Sequence, residues 1–226
     1  MNPDTINGAP GSPGAIDWQD FIEEIHATAL QQAGLTENSY SSNSIVLHEL
    51  TGATLLRIHS LLPFTALRDA MAACDIPLAA EVNQSLGQDP AVICLAPGEW
   101  LLFSEYLSAS RLFEQVQAAV DPRHTTALDV SAGLAAFRLA GSAAPWLLNK
   151  LSGLDYQRNR AAAAHAARTR LQQVAVTLHY HRPGGLGNEC VFDLICDRSL
   201  ARYLWQLLIA SIPHAEELEQ KYGDPS

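Results

Sequence analysis

The segment that most limits how this chain folds is Thr126 to Leu151, TALDVSAGLAAFRLAGSAAPWLLNKL. It reads as strand, tight turn, strand, glycine and helix. Asp129-Val130-Ser131-Ala132-Gly133 carries turn chemistry between two apolar runs. Ala135 to Leu139 alternates loosely, as a half-buried strand does. Gly141-Ser142 then opens a helix that places Trp146, Leu147 and Leu151 on one face. Nothing in the segment reads as a nucleophile, a metal site or a phosphate loop. It builds a fold without advertising chemistry.

The composition narrows the functional classes. Apolar residues make up 48% of the chain and charged residues only 17%, which leaves surface for a buried partner interface. A formal net charge of -10 argues against nucleic acid and against an anionic membrane as partners. None of the four cysteines, Cys74, Cys94, Cys190 and Cys196, sits at zinc-ligand spacing, and they read as small buried hydrophobes in a reducing compartment. The N-terminus has neither the basic region nor the apolar core of a secretory signal. No apolar run is long enough to cross a bilayer. These features together predict a cytoplasmic protein.

The organisation predicts an α+β protein. Residues 1–16 read as a flexible tail and 17–44 as a helix followed by a polar loop, with Asp17 capping the helix and Gly34 ending it. Residues 45–125 form a first block. It holds strands at Ser44–Leu50 and Ala53–His59 with a hairpin-like break at Thr51-Gly52, and a helix from Pro63 to about Cys74. Strands at Ala91–Leu95 and Glu99–Ser104 flank Pro97-Gly98, and a helix over Ser108–Val120 follows. Residues 126–226 repeat the plan. Thr126–Val130 and Leu134–Leu139 are strands and Ala143–Leu151 is a helix. A connector over 157–167 precedes strands at Leu171–His179 and Cys190–Cys196 and a final helix through Ile212. Two similar sheet-plus-helix blocks with mixed or antiparallel strands, packed as one compact unit, follow from this pattern. A dinucleotide or P-loop fold is excluded, because no glycine-rich phosphate motif is present.

Four motifs carry a resemblance. LAPGEWLLF (Leu95–Phe103), DVSAGLAAFRLAG (Asp129–Gly141), ARTRLQQVAVTLH (Ala167–His179) and FDLICDRSLARYLWQLL (Phe192–Leu208) stand in the order seen in the gamma subunit of heterotetrameric sarcosine oxidase. The resemblance spans about residues 45–212 and implies the folate-binding fold of the aminomethyltransferases (T-proteins). It further implies a non-catalytic accessory chain that packs with alpha and beta subunits in a complex oxidising N-methyl amino acids. FAD, FMN, NAD and tetrahydrofolate are then expected in the partner subunits, with none bound by this chain. The rival reading is a stand-alone folate-binding protein or one-carbon transferase of the same fold. A third is a divergent member that self-associates through its N-terminal segment.

Candidate site residues follow. Trp100 reads either as a partner-docking anchor or as a core aromatic. The resemblance implies folate contact for Asp129, which otherwise caps its own turn. Setting Phe192-Asp193-Leu194 on the corresponding T-protein strand places Glu189 on the pterin-binding glutamate, although Gly187, Asn188, Cys190 and Val191 depart from that motif. Arg158, Arg160, Arg168 and Arg170 concentrate positive charge suited to an acidic partner or to the glutamate tail of folate, and otherwise form solvated salt bridges. His179 and His181 put two imidazoles on one strand face, a spacing that metals use, but no third ligand is evident nearby in sequence. His48, His59 and His124 have no partner legible in sequence. No catalytic residue and no metal site are assigned.

Overall fold

The computed structural model describes residues 28–156, 166–181 and 190–223. Strands β1 (Ser39–Ser41), β2 (Val46–Glu49), β8 (Leu134–Ala140), β9 (Ala166–Leu171), β10 (Val174–His181) and β11 (Val191–Asp197) form one sheet in the order β1-β2-β8-β11-β10-β9. Strands β3 (Thr54–Ser60), β4 (Ser85–Leu86), β5 (Ala91–Ala96), β6 (Glu99–Ser104) and β7 (Thr125–Asp129) form the other, in the order β4-β5-β6-β3-β7. Every pairing among the described residues is antiparallel.

Period-2 alternation in these strands gives each sheet two apolar faces. Helices α2 (Phe64–Ala72) and α3 (Ala109–Ala119) cover the outer face of the five-stranded sheet, packing Leu67, Met71, Leu112 and Val116 on Leu56, Ile58 and Leu102. Helices α4 (Ala144–Leu151) and α5 (Ala201–Tyr222) cover the six-stranded sheet, with Leu147, Leu204 and Leu208 on Phe137 and Leu194. The inner faces meet through Leu55, Ile93, Leu101, Phe103, Ala136 and Ile195. The result is a four-layer α/β/β/α arrangement, the α+β class expected from the sequence.

The two sheets repeat one strand order with the blocks exchanged. Strands β5-β6-β3 are followed by β7, and β10-β11-β8 are followed by β2. Each block therefore lends its first strand to the other block's sheet. This corrects the reading of Thr51-Gly52 and of Asp129–Gly133 as turns within strand pairs. Strand β2 lies in one sheet and β3 in the other, and so do β7 and β8. At both breaks the chain crosses between layers, the second time through a 3-10 turn at Ser131–Gly133. A polar break between apolar strands has the same local chemistry in either case, and only the tertiary partner distinguishes them. Pro97-Gly98, by contrast, does close a hairpin between β5 and β6.

Three further elements depart from expectation. The segment 35–44 contains β1, paired with β2. The connector expected over 157–167 gives way at Ala166 to β9, which turns at Gln172 (φ 53°) into β10, so the strand expected from Leu171 is two strands. The alternating Ala-Ala-Arg-Thr-Arg-Leu pattern is that of an edge strand with one solvated face. Helix α5 runs past Ile212 and through Pro213 to Tyr222. The lost backbone bond at Pro213 is outweighed by the burial of Ala215 and by Glu216, which accepts hydrogen bonds from Ser42 Oγ (2.5 Å) and Ser44 Oγ (3.0 Å).

Helix α1 (Ala29–Gln32) is stopped at Gly34 (φ +77°), as the sequence predicts, but it begins at Thr28, whose extended backbone and side-chain cap on Gln31 N interrupt the single helix expected from Asp17 to Ala33; the expected start at Asp17 and the tail 1–16 lie outside the described residues. Gly141 (φ +122°) is required by contact as well as conformation, since a Cβ there would sit 2.1 Å from the Ser44 carbonyl oxygen.

Candidate functional site

The inner face of the six-stranded sheet is not uniformly apolar. Cross-strand register sets His48, Arg138, Asp193 and His179 in one row across β2, β8, β11 and β10. His181 lies two residues further along β10 on the same face. Glu105, just beyond β6, reaches the row from the other sheet.

Arg138 is the hub. Its Nε donates to Asp193 Oδ1 at 2.8 Å and its Nη2 to Oδ2 at 3.1 Å. Its two terminal nitrogens donate to Glu105 at 3.1 and 2.5 Å, so one guanidinium ties the sheets together. The Asp193 side chain has no exposed surface. His181 Nε2 donates to Asp193 Oδ2, and His179 Nδ1 stands 3.6 Å from the same oxygen. His179 Nδ1 is buried without a hydrogen-bond partner.

Burial alone would push the Asp193 carboxyl upward. The pull of His179 and the hydrogen bonds from His181 and Arg138 reverse this and hold it well below the usual carboxylate range. Burial of Arg138 is likewise overcome by Asp193 and Glu105, which keep it charged. His179 is pushed down by burial above all, and His48 by burial and then by Arg138, so both imidazoles are held neutral.

Of the residues singled out in the sequence, His179 and His181 meet at this row, while Trp100, Asp129, Arg168 and Arg170 lie in three other places among the described residues. Trp100 is 2% exposed, its Nε1 donates to Ala79 O at 2.9 Å and its ring stacks on Phe64, so it is a core aromatic with no face for a partner. Asp129 caps its own turn, accepting from Ser131 N at 2.9 Å and Ser131 Oγ at 2.6 Å. It also lines a cleft of about 430 Å³ with Glu49, Thr51, Ser131 and Arg198, where the two sheet-crossing segments meet. Arg168 and Arg170 are exposed on β9 and border a different cleft, also of about 430 Å³, with Arg57 and an apolar floor of Leu95, Leu101 and Ile195. Glu189, Arg158 and Arg160 lie outside the described residues.

Sequence reasoning missed Arg138, Asp193 and Glu105 as a group. The legible signal was a charge of each sign in the middle of otherwise apolar strands, Arg138 in LAAFRLA and Asp193 in VFDLICD. Such charges are rarely buried unless paired.

The thiols follow the same burial logic. Cys94, Cys190 and Cys196 are buried and Cys74 is half-buried. Burial, then Asp197 and Glu49, push the Cys196 thiol up to about 12. Iodoacetamide at neutral pH is therefore expected to add one group per native chain, at Cys74, and four after unfolding. Mass spectrometry of the native adducts checks this, and modification of native Cys196 would contradict it.

Comparison with solved structures identifies the fold. The chain superposes on a chain of the heterotetrameric sarcosine oxidase from Corynebacterium sp. U-96, solved in complex with pyrrole 2-carboxylate. The TM-score is 0.67 at 23% identity, over 88% of this chain and 97% of that one. It also superposes on the glycine cleavage system aminomethyltransferase T from Bartonella henselae, with a TM-score of 0.52 at 15% identity, over 74% of this chain and 45% of that one. No protein-family model matches the chain. No curated protein matches it either. The class is therefore an α+β protein of aminomethyltransferase-like fold, related in structure to a chain of a heterotetrameric sarcosine oxidase. No helix among the described residues is long and apolar enough to cross a membrane.

Proposed function

We propose that this chain is a non-catalytic accessory subunit, gamma-like, of a sarcosine-oxidase-like complex that oxidatively demethylates N-methyl amino acids. One observation carries the reading. The match covers 97% of the oxidase chain but only 45% of the aminomethyltransferase, so the likeness is to a whole small chain of an oligomeric oxidase rather than to a portion of a larger enzyme. The four ordered sequence motifs point the same way. In this reading FAD, FMN, NAD and tetrahydrofolate belong to the alpha and beta subunits, and this chain contributes packing and assembly.

The test is co-expression of the tagged full chain with candidate alpha and beta subunits. Stoichiometric co-elution of flavin-containing partners, with sarcosine oxidation by the complex and none by the chain alone, supports the proposal. A chain that elutes alone beside folded partners defeats it. Calorimetry of the isolated chain with tetrahydrofolate probes the rival reading: micromolar binding, about -8 kcal/mol, would shift the assignment to a folate-binding protein.

A further inference from the structure

We propose that His179, His181 and Asp193 form a binding site for a single zinc ion, held by His179 Nδ1, His181 Nε2 and Asp193 Oδ2. The inference concerns this chain alone and does not depend on its assembly into a complex. The three residues offer ligand atoms that all lie within 4.8 Å of one another. Register produces this closeness, because His179 lies directly opposite Asp193 on the neighbouring strand and His181 is one same-face step along. Two imidazole nitrogens and a carboxylate oxygen are a donor set that suits zinc, with a water in the fourth position.

A second observation points to a ligand. His179 is 4% exposed, and its Nδ1 faces Asp193 with no hydrogen-bond partner. A buried polar atom left unmet is a cost to the fold, and a bound cation removes it. His181 retains 31% side-chain exposure, which leaves an approach for the ion and for its water.

Arg138 is the main opposing term, and the geometry accommodates it. Its Nη2 lies 3.1 Å from Asp193 Oδ2 and 3.4 Å from His181 Nε2, and both approaches give way when an ion takes those atoms. The guanidinium keeps Asp193 Oδ1 through Nε at 2.8 Å, and it keeps Glu105. The carboxylate is thus divided, with Oδ1 for arginine and Oδ2 for the ion, and the proton that His181 Nε2 donates to Oδ2 in the empty site is carried on Nδ1 instead when Nε2 ligates. Arg138 then orients a ligand from the outer shell, while Glu105 offsets the added positive charge. An ion placed there joins β10 to β11 and, through Arg138, to the five-stranded sheet.

The experiment uses the full chain, stripped with chelator and confirmed folded by circular dichroism. It is titrated with zinc by calorimetry and with cobalt by visible absorption. One equivalent of zinc at micromolar affinity or tighter, a tetrahedral cobalt spectrum and a raised Tm are expected. His181→Ala removes a partly exposed side chain and is expected to fold, to weaken zinc at least tenfold and to abolish the Tm rise. His179→Gln is expected to behave alike, whereas Cys190→Ser leaves binding unchanged. A folded wild-type chain that takes up neither ion stoichiometrically overturns the proposal. Binding that survives His181→Ala also overturns it, because the ion is then held elsewhere.

Discussion

Replacing Arg138 with methionine is expected to destabilise the protein by about 3–5 kcal/mol, the cost of leaving a buried charge without its partner. The substitution keeps most of the apolar stem and removes only the guanidinium. Asp193, with no exposed side-chain surface, then loses both of its arginine hydrogen bonds, and the link to Glu105 disappears. Urea unfolding followed by tryptophan fluorescence measures the change, with an unaltered m-value showing that the transition remains two-state. Glu105→Gln should cost far less, about 1 kcal/mol, because Glu105 is 27% exposed and water replaces part of what it loses. Arg138→Met with Asp193→Asn should recover much of the loss, since neither charge then stays buried alone. A loss below about 1 kcal/mol for Arg138→Met would mean that the pair is solvated and does not hold the sheets.

Acid has a related effect with a definite sign. The folded-state pKa of Asp193 lies below its ordinary value, so its stabilising contribution is complete above the ordinary carboxylate pKa of about 3.9 and is lost as pH falls from there toward the depressed value. Arg138→Met removes one of the groups that depress it. The variant should therefore show a flatter dependence of stability on pH below about 4.

Phe137→Ala is the second large effect, about 3–5 kcal/mol. Phe137 is fully buried, stands beside Arg138 on β8 but on the opposite face, and packs its ring 5.9 Å from Trp205 of α5. Truncation leaves a cavity between sheet and helix that a strand clamped on both sides cannot close. Thermal unfolding should show one cooperative transition at a lower Tm. The Trp205 contribution to fluorescence should change with it, since that indole loses its aromatic neighbour. A loss near 1 kcal/mol would indicate that α5 settles into the space. Phe137 and Arg138 thus test the two faces of one strand, one through apolar packing and the other through ion pairing.

Much of the architecture was legible because it rests on local chemistry. Ser108 accepts from Arg111 N as the cap of α3, Gly34 stops α1, and Pro97-Gly98 closes the β5–β6 hairpin. The α+β class followed from periodicity, and the repeated block plan from the order of apolar runs. The site was scarcely legible. Asp129, marked by its turn context, spends its carboxylate on Ser131, and Trp100, which read either as a docking anchor or as a core aromatic, is the core aromatic. Arg138 and Asp193 lie 55 residues apart and meet only because β8 and β11 are neighbours in one sheet.

The amino-acid sequence alone determined most of the longer strands and helices, though not the edge strands β1 and β9 or the end of α5, and that 48% apolar content with few charges makes a well-buried protein. Those properties depend on residues within a few positions of one another. Tertiary structure alone decided which sheet each strand joins, that α5 continues through Pro213 to meet Ser42 and Ser44, and that His179 and His181 acquire Asp193 as a third polar neighbour. Each of these is settled by register across strands and by packing between layers. Neither leaves a trace in local spacing, because the groups that supply the deciding energy are distant in the chain and adjacent only in the fold.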